Sequence, residues 1–209
     1  TFHRPPKASV VRSWAEHTPE SFRFAVRVPQ HIAHDARPLQ MAEHLGGFFR
    51  ALEPLGPRLG PLLVQMPAEF TRDPDTVGLL DRFLSARPAA ARLAVEFRHA
   101  SWHVPATVEL LRKRGVALTW TEGRELPRFA HLTADFLYVR WPGDHREIAK
   151  HDRVKIDRAG SFDSWMTDLG RVMNEVREVY GYFDNHWAGY APESVNEMKR
   201  RLGLTASEA

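Results

Sequence analysis

Cysteine is absent from this chain of 209 residues. Disulfide bonds, thiolate metal ligands and cysteine nucleophiles are therefore excluded. Long hydrophobic runs are absent as well: no stretch of about 18 or more consecutive apolar residues occurs, so the sequence predicts no membrane-spanning helix and no membrane partner. A cysteine-free composition suits a cytoplasmic protein, and this is the location that we expect.

A large excess of charge of one sign is also lacking. The 29 lysines and arginines nearly balance the 26 aspartates and glutamates, which leaves a net charge of +3 with neutral histidines. The densest basic segment, residues 146–158, is interleaved with Glu147, Asp152 and Asp157. Such mixing favours a solvated loop over a nucleic-acid surface, so nucleic acid is a weakly supported partner.

Six short apolar segments, each of five to seven residues, have the length and composition of β-strands. They are Phe22–Val28, Pro61–Gln65, Arg92–Phe97, Val116–Trp120, Phe136–Arg140 and Val179–Asn185. Helical spacing of apolar residues is found in Leu39–Leu55, Asp75–Ala86, Val104–Arg114, Trp165–Glu178 and Pro192–Leu202. Alternation of strands and helices predicts an α/β fold with a parallel sheet, in a single domain of residues 1–209.

No glycine-rich GxGxxG motif follows any of these strands. Residues 56–61 are rich in glycine and proline, but they precede a strand instead of opening a helix, so they do not form a phosphate-binding loop. A dinucleotide-binding sheet is therefore disfavoured relative to a TIM-type (β/α)8 barrel. Six strands are two fewer than such a barrel contains.

Polar residues stand at or near the carboxyl ends of five predicted strands: Arg27, Gln65, Glu96, Arg140 and Asn185. Successive side chains of a strand point to opposite faces, so each of the first four shares a face with the small or apolar residue two positions earlier. The carboxyl ends of parallel strands are where α/β folds bind their ligands. The sequence therefore predicts a polar site there.

Glu96 and His99 are the candidate catalytic residues. A glutamate at the end of a barrel strand can act as a general acid or base, and His99 can relay the proton. The structural alternative is a buried ion pair of Glu96 with Arg27 or Arg140. Arg98 is a candidate for orienting an anionic substrate, or it pairs with a neighbouring acid.

Arg27 and Arg140 are predicted to point into the barrel from different strands. Two guanidinium groups there suit a carboxylate or a phosphate, unless internal carboxyl groups neutralise them. Gln65 and Asn185 can position a polar substrate through hydrogen bonds, or they satisfy local backbone groups. A small, anionic molecule is thus the expected ligand.

Metal ions and aromatic stacking are weaker expectations. His31 and His34 are spaced three residues apart, and Asp184 and His186 could meet Glu96 at an open site, but no specific ligand motif such as HExxH is present. We therefore predict no metal or other cofactor.

Four tryptophans near strand ends could stack on a sugar or base, or they belong to the core: Trp102, Trp120, Trp141 and Trp187.

Several segments, taken in order, resemble the YecE-like family, known as domain of unknown function 72. They are TFHRPP at residues 1–6, FRFAVRVPQHIAHD at 22–35, LGPRLGPLLVQMPAEF at 55–70, VEFRHASW at 95–102, FLYVRWPG at 136–143 and YFDNHWAGYAP at 182–192. The resemblance implies a TIM-type barrel and a family without an established activity. It also implies an upstream region containing two strands, so we expect this chain to lack the first two strands of the barrel.

The chain departs from the family pattern at two places. Arg27 stands where the family usually has lysine, and Trp141-Pro142 replaces the usual Leu-His before Gly143.

Our leading hypothesis for the function is an enzyme of unknown reaction that acts on a small polar or anionic substrate. The alternatives are a non-catalytic nucleic-acid or nucleotide binder, using residues 146–158 with Trp141 and Trp187, and a scaffold on a retired barrel. The sequence does not indicate an oligomeric state.

Overall fold

The computed structural model describes residues 5–33, 38–122, 126–144 and 146–205. The predicted metal ligand His34 lies outside these residues. Backbone contacts divide the chain into two compact units, Thr1–Leu118 and Thr119–Ala209. The single-domain organisation stays a prediction.

The first unit alternates strands and helices. Its elements are α1 (Ala8–Glu16), β1 (Phe24–Arg27), α2 (Gln30–Ala33), α3 (Pro38–Leu52), β2 (Leu59–Gln65), α4 (Pro74–Ser85), β3 (Leu93–Glu96), α5 (Pro105–Arg114) and the start of β4 (Ala117–Thr121). Short 3-10 turns occupy Glu53–Arg58 and Ala100–Trp102. All strand pairs are parallel, and each strand pairs with the next one along the chain.

Apolar side chains on alternate strand positions hold the helices of the first unit against its strands. The buried set includes Val26, Leu62, Val64, Leu93 and Val95 from the strands and Leu80, Phe83 and Leu84 from α4. Helix α4 is capped by the preceding Asp73, whose carboxyl oxygen accepts a hydrogen bond from Thr76 N at 2.9 Å, while the Thr76 hydroxyl accepts one from Asp73 N at 2.9 Å. This reciprocal cap, followed by Pro74, fixes where the helix starts.

The second unit continues with the end of β4 and then β5 (Phe136–Trp141), α6 (Ala159–Gly170), β6 (Glu178–Phe183), α7 (Asn185–Ala188) and α8 (Ala191–Arg201), with a 3-10 turn at Met173–Glu175. Its strand pairs β4–β5 and β5–β6 are again parallel. Its core is unusually aromatic and contains Trp120, Trp141, Phe162, Trp165 and Trp187. Large rings between the strands and α6 bury much apolar area with few side chains.

The predicted fold class is confirmed: the chain is α/β, with six parallel strands that overlap the six predicted segments. Helix α1 was not predicted. No helix in the described part of the chain is long and apolar enough to cross a membrane.

The predicted helix Trp165–Glu178 is wrong in its bounds, because α6 runs from Ala159 to Gly170. At its start the Asp157 carboxyl group accepts a hydrogen bond from Ala159 N at 2.8 Å. After α6 ends, Val172 and Val176 still pack against the aromatic core. Apolar spacing therefore extends past the end of the helix, because the following turn also contributes to the core.

Asp81 of α4 and Arg114 of α5 form a two-bonded ion pair, with N–O distances of 2.7 and 2.8 Å. Hydrogen bonding from Arg114 holds the pKa of Asp81 below its ordinary value. A carboxyl group whose pKa is lowered by folding stabilises the fold above its unfolded pKa and loses that contribution as the pH falls through the folded pKa. We expect Asp81→Asn to lower the free energy of unfolding at pH 7 and to have a shrinking effect below about pH 4.

Urea denaturation at pH 7 and at pH 3 measures this difference. Glu16→Gln, at an exposed position of α1, is the control and should change stability little at either pH. An equal loss for Asp81→Asn at both pH values would contradict the proposed electrostatic contribution.

Candidate functional site

Three of the predicted site residues meet at the carboxyl ends of β1, β2 and β3, in the first unit. Arg27 Nη2 donates a hydrogen bond to Gln65 Oε1, and Gln65 Nε2 donates one to Glu96 Oε1 at 2.6 Å. We call this row of three side chains the polar relay. Glu96 is 5% exposed, whereas Arg27 and Gln65 are half-buried.

Strand register brings these side chains together. Gln65 is the direct neighbour of Glu96 across β2 and β3, and Arg27 is the neighbour of Leu63, two residues before Gln65. Residues two apart on a strand share a face, so all of these side chains point the same way. The predicted shared face is therefore confirmed for this unit.

The Gln65 amide can hydrogen-bond to both of its neighbours, the Arg27 guanidinium and the Glu96 carboxyl group. A guanidinium has only donors, so it needs an acceptor, while the Glu96 oxygen accepts. The amide oxygen faces Arg27 and the amide N–H faces Glu96. The amide thus links the arginine to the carboxyl group through two hydrogen bonds.

His99, the second catalytic candidate, is held by a separate set of contacts. Ser101 Oγ lies 2.8 Å from His99 Nδ1, and Ser101 N donates to the same nitrogen at 3.2 Å. Since a backbone N–H can only donate, Nδ1 is an acceptor, and a neutral His99 carries its proton on Nε2. Ser101 Oγ also accepts a hydrogen bond from Arg72 N at 2.8 Å. Arg98 is exposed.

Arg140 and Asn185 belong to the second unit. Arg140 is half-buried near the end of β5, in register with Thr121 on β4 and Tyr182 on β6. Asn185 Oδ1 accepts a hydrogen bond from Ala191 N, the first residue of α8, at 2.8 Å. The Asn185 side chain therefore satisfies a local backbone group, which was the alternative to substrate positioning.

A group of tyrosines shares the Arg140 face of the second unit and was missed by the sequence analysis. Tyr138 stacks on Tyr180 with ring centroids 6.4 Å apart, and lies 5.3 Å from the Tyr182 ring. Burial, with a smaller contribution from Tyr180, raises the pKa of Tyr182 to about 12. The Tyr-Gly-Tyr alternation within a predicted strand could have identified this face.

The four tryptophans proposed for ligand stacking are core residues instead. Trp102, Trp120, Trp141 and Trp187 are each at most 2% exposed. Trp102 Nε1 donates to Phe70 O at 2.7 Å, and Trp120 Nε1 donates to His131 O at 3.0 Å. The favoured interpretation, that these rings belong to the core, is therefore confirmed, and the stacking alternative is wrong.

Metal ligands were predicted only as a weak expectation. Among the described residues, no group of three or more histidine, aspartate or glutamate side chains is arranged to hold a metal ion. The proposed set of Glu96, Asp184 and His186 is therefore not such a group.

The cavity found in the second unit measures about 220 Å³ and lies between the start of α6 and α8. Its charged rim is internally paired: Arg200 contacts Glu193 at 2.8 Å and Glu197 at 2.9 Å, and Arg201 contacts Glu197 at 2.6 Å. Exposed pairs of this kind contribute little binding energy and compete with a charged ligand. The cavity is thus a weaker candidate than the polar relay.

Gly143 marks a close approach between the loop after β5 and helix α7. Its φ is +69°, and a Cβ atom there would lie 2.1 Å from both the carbonyl carbon and the oxygen of His186. Only glycine adopts this backbone conformation readily, and only glycine fits against the backbone of α7. The Trp-Pro-Gly and Asn-His-Trp motifs are therefore in direct contact.

Parallel strands joined by helices, with a polar relay at their carboxyl ends, define an α/β protein of the kind that binds ligands at strand ends. The chain belongs to the family described as "Protein of unknown function DUF72", whose model matches residues 1–209. The resemblance stated from the sequence is thus confirmed, and so is its implication of a family of unknown function.

Individual relatives agree with this assignment. The UPF0759 protein YecE of Escherichia coli K12 is 32% identical over 116 residues, which are 56% of this chain and 42% of that protein. A DUF72 family protein from Thermotoga maritima MSB8 superimposes with a TM-score of 0.81 at 26% identity, covering 97% of this chain and 82% of the other. One from Enterococcus faecalis V583 has a TM-score of 0.81 at 18% identity, covering 100% and 85%, and shows the shared fold.

We expect Gly143→Ala to destabilise the protein by at least about 2 kcal/mol, because it adds a left-handed backbone penalty to a steric overlap. Gly160→Ala is the matched control, since Gly160 lies inside α6 and a Cβ there meets nothing within 4 Å. The control should be neutral or stabilising by up to about 1 kcal/mol. Thermal and urea unfolding measure both variants, and equal stability of the two would refute the close approach.

Proposed function

We propose that this protein is an enzyme that acts on a small polar, anionic substrate at the carboxyl ends of β1–β3. The polar relay is the observation that supports the proposal most strongly. It sets an arginine, an amide and a buried carboxyl group side by side at the edge where α/β proteins bind ligands. In this proposal Glu96 is the general acid or base, Arg27 binds the anion and Gln65 positions both.

Exposure along the relay fits this division of roles. Arg27 and Gln65 are half-buried, so an incoming ligand can reach them, while Glu96 is 5% exposed. A guanidinium binds a carboxylate or phosphate through two parallel hydrogen bonds and remains charged at any working pH. A substrate held by Arg27 would therefore approach Glu96 from the more exposed end of the relay.

Two further residues of the first unit keep their proposed roles: His99 would move a proton, and Arg98 would contact the substrate. A substrate contact of Arg140, in the second unit, stays a prediction, and the side-chain oxygen of Asn185 accepts a hydrogen bond from Ala191 N. No cofactor is part of this activity. The proposal includes a cytoplasmic location, on the ground of the cysteine-free composition.

Nucleic-acid binding is a less favoured second function. It required Trp141 and Trp187 as stacking platforms, and both are buried. The basic segment that it required is also partly neutralised, since Lys155 contacts Asp152 at 2.6 Å and Arg146 contacts Asp144 at 3.1 Å. A retired scaffold is disfavoured because its strand ends should be filled by apolar side chains, whereas β2 and β3 end in Gln65 and Glu96.

Thermal unfolding in the presence of small anions tests the binding step. The panel contains phosphate, sulfate, citrate and sugar phosphates, with chloride at equal ionic strength as the reference. A ligand at about 100 times its Kd stabilises the native state by about 2.7 kcal/mol, which for a chain of this size raises Tm by about 5 °C or more. We expect at least one anion to do so with the wild-type chain.

Arg27→Gln should abolish that shift. Arg23→Gln is the matched control, because Arg23 is exposed and its guanidinium donates to Glu20 O at 2.8 Å outside the relay. It should keep the full shift. Absence of any anion-dependent shift, or an equal shift in both variants, would contradict anion binding at Arg27.

Glu96→Gln separates chemistry from binding. It keeps the shape of the side chain but cannot exchange a proton, so we expect ligand-induced stabilisation to remain while turnover of the identified ligand falls by about 100-fold or more. Unchanged turnover would remove Glu96 from the acid–base role and leave only a binding site.

A further inference from the structure

Two histidines from different segments of the second unit meet at their ring nitrogens. His151 Nε2 lies 3.1 Å from His186 Nδ1, and the two ring planes are nearly perpendicular, with centroids 4.4 Å apart. His151 follows β5 in the loop that leads to α6, and His186 belongs to α7, which follows β6. Neither the polar relay nor the aromatic core uses this pair of imidazoles.

The separation of the two nitrogens suits a shared metal ion. Two imidazole nitrogens at 2.0–2.1 Å from a tetrahedral Zn²⁺ lie ~3.3 Å apart, from the bond lengths and the tetrahedral angle. The observed 3.1 Å is close to that value. Small rotations of the two rings would turn both lone pairs towards one ion, and the ring that now donates the hydrogen bond would move its proton to its other nitrogen.

Backbone contacts hold both segments in place. Asp184 Oδ1 accepts a hydrogen bond from His186 N at 3.2 Å, and Gly143 packs against the His186 carbonyl group. On the His151 side, Lys155 N and Ile156 N both donate to Ala188 O, at 2.7 and 3.2 Å. The pair is therefore positioned before any ion binds, which lowers the entropic cost of binding.

We propose that His151 and His186 form a binding site for a divalent transition-metal ion. Imidazole nitrogen is a ligand that Zn²⁺, Ni²⁺ and Cu²⁺ prefer, whereas Mg²⁺ and Ca²⁺ prefer oxygen. The described residues supply these two imidazoles and no larger group of ligand side chains, so water or a bound anion completes the coordination. The site is thus open, as in metal centres that exchange a ligand.

Isothermal titration calorimetry of the full chain with ZnCl₂, after dialysis against a chelator, tests the proposal. We expect saturable binding of one Zn²⁺ per chain and no comparable heat with MgCl₂. His151→Ala and His186→Asn should each weaken Zn²⁺ binding by at least about tenfold. Changes to residues that only support a metal ligand already cost about 10–100-fold in affinity, and the loss of a ligand itself should cost no less.

His31→Ala is the matched control. His31 also lies beside a second histidine, His44, but the ring centroids are 6.3 Å apart, against 4.4 Å in the proposed site. This variant should bind Zn²⁺ like the wild type. Thermal unfolding without metal checks that each variant is folded, and His151, which lies in a loop, carries the test if the α7 substitution impairs folding.

A second readout concerns geometry. Binding of Co²⁺ in place of Zn²⁺ should give visible absorption bands in the wild type that are lost in His151→Ala and kept in His31→Ala. Absence of one-to-one Zn²⁺ binding, or binding that the His151 and control variants share equally, would overturn the proposal. Neither outcome bears on the relay, because the two sites have no residue in common.

Discussion

The fixed alternation of side chains along parallel strands is the constraint on which the candidate site depends. In the first unit it sends Val26, Val64 and Val95 towards the helices, and their neighbours in sequence to the opposite face. Parallel register then sets Gln65 directly beside Glu96. One geometric rule thus builds both the apolar core and the polar relay, and a one-residue slip of β2 would exchange the two faces. The chemistry of the site is therefore tied to the packing of the fold.

The same alternation of side chains operates in the second unit, but the residues on the two faces differ from those of the first. On β5, Leu137, Val139 and Trp141 belong to the aromatic core, while Tyr138 and Arg140 share the other face. Its strand ends lead into loops whose backbones are in close contact, and these contacts set the positions of the histidine pair. Regular strands position the relay of the first unit, whereas loop packing positions the imidazoles of the second.

The sequence predicted those features that follow from local periodicity. Strand parity correctly grouped Arg27, Gln65 and Glu96, because alternation needs no knowledge of tertiary contacts. Features set by packing were less predictable. The bounds of α6 were misplaced because Val172 and Val176 bury apolar surface beyond the helix end. Side chains that satisfy local backbone groups, as Asn185 does, look like site residues until the backbone is known.

The central claim is that the Gln65 amide couples to the Glu96 carboxyl group in the folded state, and a double-mutant cycle measures this coupling directly. The cycle uses Gln65→Met, Glu96→Met and the double variant. Methionine has a similar side-chain volume, and each substitution removes one partner of the Gln65–Glu96 hydrogen bond. Free energies of unfolding by urea should give a coupling of about 1 kcal/mol or more, as expected for a buried hydrogen bond to an acidic group. Additive effects within about 0.3 kcal/mol would show that the two side chains act independently and would contradict the relay.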